Sequence, residues 1–191
     1  MNASRLEAFT DGVVAIIITI MVLEIRVPHG GDLAALQAGL PVFSAYVLSY
    51  VNVGIFWNNH HHMLHVTERV NGKVLWANLA LLFWLSLVPF VIRWIDETGF
   101  TALPTAAYGV VLLCAAVSYQ ILQRQLIAYN GRDSRLATAV GADFKGKLSL
   151  ILYFAAIVLA FVRPWMAITL YVAVALLWLV PDRRIESLAG K

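Results

Sequence analysis

The chain has 191 residues, 61% of them apolar and 13% charged, with a formal net charge of +3. A soluble domain of this length is about 45–50% apolar and about 25% charged, so the composition excludes a soluble globular domain and points to an integral membrane protein. The charges form no basic tract for nucleic acid, and one cysteine, Cys114, leaves no intrachain disulfide and no cysteine-based metal centre.

Read for hydropathy and breakers, the chain is an all-α polytopic membrane domain of six helices, at about residues 5–25, 33–67, 74–94, 102–129, 148–162 and 165–180. The N-terminal run is not a signal peptide, because Glu7 and Asp11 precede its apolar half and no small-x-small cleavage site follows. Its apolar part is too short to span alone. A helix begun near Arg5 is long enough only if its polar groups lie at the interface or inside protein. Arg26, Pro28, His29, Gly30 and Gly31 form the first loop, and Asp32 is the expected N-cap of the second helix, which meets Pro41 and should kink there. Asn71 and Gly72 end it. The third helix is read as continuous, with Pro89 near its far end. The polar stretch between the fourth and fifth helices, with Gly131, Gly141 and Gly146, is read as a linker, and Pro181 and Asp182 end the sixth helix.

Six helices place both termini on one side. Eleven of the 14 lysines and arginines fall on the terminal side, against Arg26, Arg93 and Arg163 on the other. The positive-inside rule then sets both termini in the cytoplasm. The six tryptophans lie mostly towards helix ends, as interfacial anchors do.

The first helix carries the most information. With about 100° per residue, Gly12, Thr19, Ile20 and Leu23 fall within about 60° of Ile16, and Asp11 falls opposite. An apolar stripe of this kind faces lipid on an isolated helix. Thr19 argues weakly for a water- or ion-facing surface, although threonine also bonds back to its own helix. Asp11 has three readings: a carboxylate at the helix start near the interface, a buried hydrogen-bond node between helices, or a proton relay. His60, His61, His62 and His65 close the second helix. His61 and His65 have the spacing of two metal ligands on one face, but no third ligand is near, so no metal and no cofactor are expected. The histidines are either a solvated helix end or, at the same depth as Asp11, imidazole partners for it. The second arrangement makes pH sensitivity reasonable.

There is no carbonyl selectivity filter of the usual potassium-channel kind and no broken-helix pair in matching halves. No nucleophile–base arrangement suggests an enzyme.

The pattern Arg5-x-x-x-Phe9-Thr10-Asp11-Gly12 resembles the Arg-x-x-x-Phe-Ser-Asp-Gly signature of the transmembrane protein 175 family of potassium channels. Tyr46-x-x-Ser49-Tyr50 with Trp57-x-x-His60-His61 is similar to that family's second helix. Leu75-Trp76-x-Asn78-Leu79 with Ser86-x-x-Pro89-Phe90 is similar to its third. The likeness covers the first half of the chain; the second half matches in hydropathy only. It implies a potassium-permeable channel of a prokaryotic plasma membrane, a homotetramer of single six-helix repeats in the lipid bilayer. It implies a pore lined by the first helices, an apolar constriction at Ile16, Ile20 and Leu23, and a potassium-related position at Thr19. It assigns Arg5, Phe9, Thr10, Asp11 and Gly12, with His60, His61, Trp76 and Asn78, to a network behind the pore. Thr10 departs from the family's serine and adds a methyl that must fit. A weak to moderate preference for potassium follows, with calcium excluded because no acidic ring lines the stripe. The alternative from another class is a proton-conducting or proton-coupled transporter using Asp11 and the histidines. A haem-binding membrane subunit with histidine ligands is a third reading.

Overall fold

A computed structural model describes residues 3–27, 30–67, 69–131, 133–141 and 143–179. Pro28 and His29 of the first loop, Arg132 of the linker, and Pro181 and Asp182 with the charged tail lie outside the described residues. The described residues form eight helical segments and no strand element: α1 (Ala3–Leu23), α2 (Leu33–His65), α3 (Gly72–Ser86), α4 (Val88–Thr98), α5 (Ala102–Asn130), α6 (Arg135–Val140), α7 (Phe144–Ala160) and α8 (Pro164–Leu179).

The expected cap at Asp32 is present, and Asn71, read in the sequence as a breaker, also caps the helix that follows it. Asp32 Oδ1 accepts the Ala35 N–H at 2.9 Å, and Asn71 Oδ1 accepts the Val74 N–H at 3.0 Å, each satisfying a donor at a helix start. Helix α2 runs through Pro41 without interruption. The third helix is not continuous, contrary to the sequence reading. Pro89 has no N–H, and its ring would press on the carbonyl of residue 85, so the helix steps at Leu87 and restarts as α4 with the proline in its first turn. The linker also holds more order than expected. Ser134 caps the short α6 by accepting the Ala137 N–H at 3.2 Å. Asp143, with φ of 43°, caps α7 by accepting the Gly146 N–H at 3.2 Å, so α7 begins four residues earlier than hydropathy alone places it.

Among the described residues, four stretches are long and apolar enough to cross a membrane: Ala3–Leu23, Leu33–His65, Gly72–Thr98 and Ala102–Asn130. With 17 and 16 residues, α7 and α8 are shorter. At about 1.5 Å per residue they reach roughly 24–26 Å, a little under the hydrocarbon thickness of about 30 Å.

The core forms around α5, which packs against α3, α4, α7 and α8 and buries Leu112, Ala115, Leu122 and Leu126 completely. Tyr171 of α8 enters beside Gly109 and donates to the Thr105 carbonyl at 3.0 Å. A Cβ at Gly109 would collide with the Tyr171 hydroxyl and with Ile157, so this crossing requires glycine. Tyr108 ties the two halves of the chain together: Ser49 and Asn52 of α2 donate to its hydroxyl at 3.0 and 3.4 Å. On the far side of the bundle α1 rests on α2, α3 and α4, with one side uncovered.

Candidate ion pathway

Helix α1 is amphipathic in packing rather than in polarity. Ala3, Leu6, Thr10, Val14, Ile17 and Met21 form its buried stripe, at three- and four-residue steps. The stripe singled out in the sequence lies on the uncovered side. Ile16 is 60% exposed, Ile20 40% and Leu23 75%, and Gly12 and Thr19 are also exposed. The Thr19 hydroxyl donates to the Ala15 carbonyl at 2.8 Å, so its own helix satisfies it. Beside this stripe runs an open groove of about 430 Å³ between α1 and α4, walled by Ile16, Ile20, Ser86, Pro89 and Phe90.

Behind the stripe a polar network joins α1, α2 and α3. His60 Nε2–H donates to Asn78 Oδ1 at 2.8 Å, and Asn78 Nδ2 donates to Thr10 Oγ1 at 2.9 Å. All three side chains are buried. The hydroxyl is therefore used as an acceptor, and the extra methyl of threonine is accommodated inside the bundle.

Asp11 meets a different partner from the one expected. Its Oδ1 accepts the Trp57 Nε1–H at 2.8 Å. None of His60, His61, His62 and His65 bonds it: His60 turns to Asn78, and His61 Nδ1 bonds Glu7 Oε1 at 2.7 Å. The reason is register. Glu7 and Asp11 stand one turn apart on α1, His61 and Trp57 stand one turn apart on the antiparallel α2, and each step up one helix meets a step down the other. Glu7 and Trp57 were absent from the sequence-derived network, although two facing pairs at four-residue spacing were a legible signal. Trp57, His61 and His65 continue as a stacked ladder, with ring centroids 6.1 and 6.2 Å apart. Among the described residues no group of three or more histidine, cysteine or acidic side chains is arranged to hold a metal.

The rest of the motif does not join this network within one chain. Arg5 and Phe9 lie on the uncovered side of α1, and Phe9 is 51% exposed. Trp76 is 75% exposed and stands away from Asn78's partners.

The other end of α1 is held by charge. Arg26 Nε pairs with Asp96 at 2.9 Å and its Nη2 with Glu97 at 3.3 Å, while Arg93 bridges Glu24 at 3.3 Å and Glu97 at 3.2 Å. This clamp fastens the segment just beyond Leu23 to α4. Sequence reasoning missed it because the two halves are about seventy residues apart and each alone reads as a solvated helix end.

A family model described as the endosomal/lysosomal potassium channel TMEM175 matches residues 5–89. A potassium channel of Chryseobacterium sp. (strain P1-3) is 50% identical over 187 residues, which is 98% of this chain and 97% of that protein. The human endosomal/lysosomal proton channel TMEM175 is 38% identical over 96 residues, 44% of this chain but 19% of that protein. The crystal structure of a lysosomal potassium-selective channel TMEM175 homologue from Chamaesiphon minutus is similar with a TM-score of 0.81. It covers 93% of this chain and 96% of that one, at 25% sequence identity.

Proposed function

We propose that this chain, which belongs to the TMEM175 family of potassium channels, forms a potassium-permeable pore whose wall is the uncovered face of α1. It is a multi-pass membrane protein of an ion-channel family rather than an enzyme family. The observation that carries the assignment of the wall is the contrast along α1: Ile17 is 3% exposed inside the bundle, whereas Ile16, Ile20 and Leu23 stand uncovered on the other side. Four copies with these stripes facing a common axis would stack apolar rings. Such rings exclude ions by dewetting when narrow and pass them when the helices move apart. Thr19 would supply the one hydroxyl on that wall. The same four-fold packing would give Arg5 and Phe9 partners from a neighbouring subunit. With the positive-inside pattern, both termini would lie in the cytoplasm of a prokaryotic cell.

The test is a planar bilayer containing the purified chain, with potassium on one side and sodium on the other. A current reversing at a potassium-favouring voltage, larger in Ile16→Ala, supports the reading. No current from a folded oligomer, in both the parent and Ile16→Ala, overturns it. Native mass spectrometry tests the tetramer.

Proton conduction is the second reading, favoured by the names of the animal relatives. The same bilayer with a pH gradient and no permeant metal cation separates the two. Asp11 and His61 each have a partner other than one another, so a relay between them would need those bonds to open.

A further inference from the structure

A second cavity lies between α2, α5, α7 and α8 and has no wall from α1. Its volume is about 40 Å³. It is therefore a slot rather than a chamber. Its walls include four aromatic rings, Phe56, Tyr119, Tyr153 and Trp178, and its polar groups include Asn52, Asn59, Gln120 and the Asp143 carboxylate, with Ser149 Oγ taken up by the Trp178 N–H at 2.8 Å.

The chemistry of these groups points to one kind of ligand. Asn52 and Asn59 donate their amide nitrogens to the Leu48 and Ile55 carbonyls at 2.9 and 2.8 Å, which leaves their amide oxygens as acceptors. Gln120 is 8% exposed, and its amide nitrogen has no partner among the described residues. A buried amide in this condition costs about 1–3 kcal/mol, and with the amide turned over its oxygen faces the slot as an acceptor for an N–H donor, since an ammonium group carries donors only. Aromatic faces with a carboxylate attract a cation. The Lys145 ammonium, 6.0 Å from the Trp178 centroid, shows that this ring accepts one. A chamber would suit a quaternary ammonium; a slot suits a primary one.

We propose that this cavity binds a primary ammonium group on a slender stem, as found in a small alkylamine or an aminoethyl lipid headgroup. Asp143 and the Asn59 oxygen receive the charged end, and the aromatic rings enclose the stem. The site is coupled to α1 by position. Tyr119 donates to the Asn59 carbonyl at 3.2 Å, and the next residue, His60, begins the bonds through Asn78 to Thr10. The proposal does not depend on the pore assignment, because binding is read without ionic current.

The experiment is a titration of the full chain, in detergent free of aminoethyl lipid, with n-butylammonium chloride, following the thermal midpoint. A saturable rise is expected, absent with n-butanol, butyrate or potassium chloride at equal ionic strength. Asp143→Asn keeps the α7 cap and should weaken the response at least tenfold. Ala116→Leu narrows the slot and should abolish it, and this variant carries the test where Asp143→Asn does not fold. An equal response to n-butanol, no saturable response, or a response unchanged in Ala116→Leu overturns the proposal. In vesicles of phosphatidylethanolamine, weaker apparent butylammonium binding than in phosphatidylcholine assigns the site to the lipid headgroup. Equal binding in both assigns it to a free amine.

Discussion

Ile16 and Ile17 are adjacent and chemically identical, yet one is 60% exposed and the other 3%. The two faces of α1 teach that hydropathy does not distinguish a core stripe from an uncovered one; only the neighbours do. The buried face has Thr10 bonded to Asn78 and the rings and chains of α2, α3 and α4 against it. The uncovered face has one hydroxyl, satisfied by its own helix. If the proposed pore is right, the same substitution on the two faces should have opposite consequences. Ile17→Ala should cost about 2–4 kcal/mol by opening a cavity, read as a fall in thermal midpoint and loss of the oligomer. Ile16→Ala should leave the midpoint nearly unchanged and raise the current. Equal destabilisation by both would place Ile16 in a packed interface and break the comparison.

The buried face has a second dependence. Asn78 is the one side chain bonded to both His60 and Thr10. Asn78→Ala should leave two buried groups without partners and cost about 2–3 kcal/mol, measured by chemical denaturation in detergent. Asn78→Asp should recover part of this, since one oxygen still accepts from His60. A full loss in both variants would show that Asn78 matters for shape rather than for bonding.

Much of this was legible in the sequence, and the reasons are specific. The helical stripe at Ile16, Ile20 and Leu23 follows from geometry alone, and the Asp32 cap follows from residue type and position, whereas Asn71 was read only as a breaker and also caps α3. Pro89 was seen, but its effect was underestimated, because the hydropathy continues unbroken through the step at Leu87. The partner of Asp11 was assigned by depth alone. Depth does not fix rotation about α2, and rotation delivers Trp57 to Asp11 and His61 to Glu7. The exposure of Arg5, Phe9 and Trp76 was not legible, because hydropathy and spacing do not say which face of a helix its neighbours cover.

Between these effects and the smallest lies the bond from Trp57 to Asp11. Both residues are exposed, and one hydrogen bond between membrane helices is worth about 0.6 kcal/mol, rarely above about 1.7. Trp57→Phe should therefore lower the midpoint slightly and leave the proposed tetramer assembled. Dissociation of the oligomer would mean that Trp57 also serves a contact between subunits.

The smallest expected change in stability belongs to the clamp beyond the stripe. The Arg26 side chain is 59% exposed while it pairs with Asp96 and Glu97, and exposed pairs contribute about 0–1 kcal/mol. Arg26→Gln should leave the thermal midpoint within about one degree or two of the parent. Its effect on current should be larger than its effect on stability, because it stands three residues beyond Leu23 and ties that end of α1 to α4. The change in current should shrink as ionic strength rises and the clamp is screened in the parent as well. A current independent of both the substitution and salt would detach the clamp from the proposed constriction and leave Leu23 positioned by packing alone.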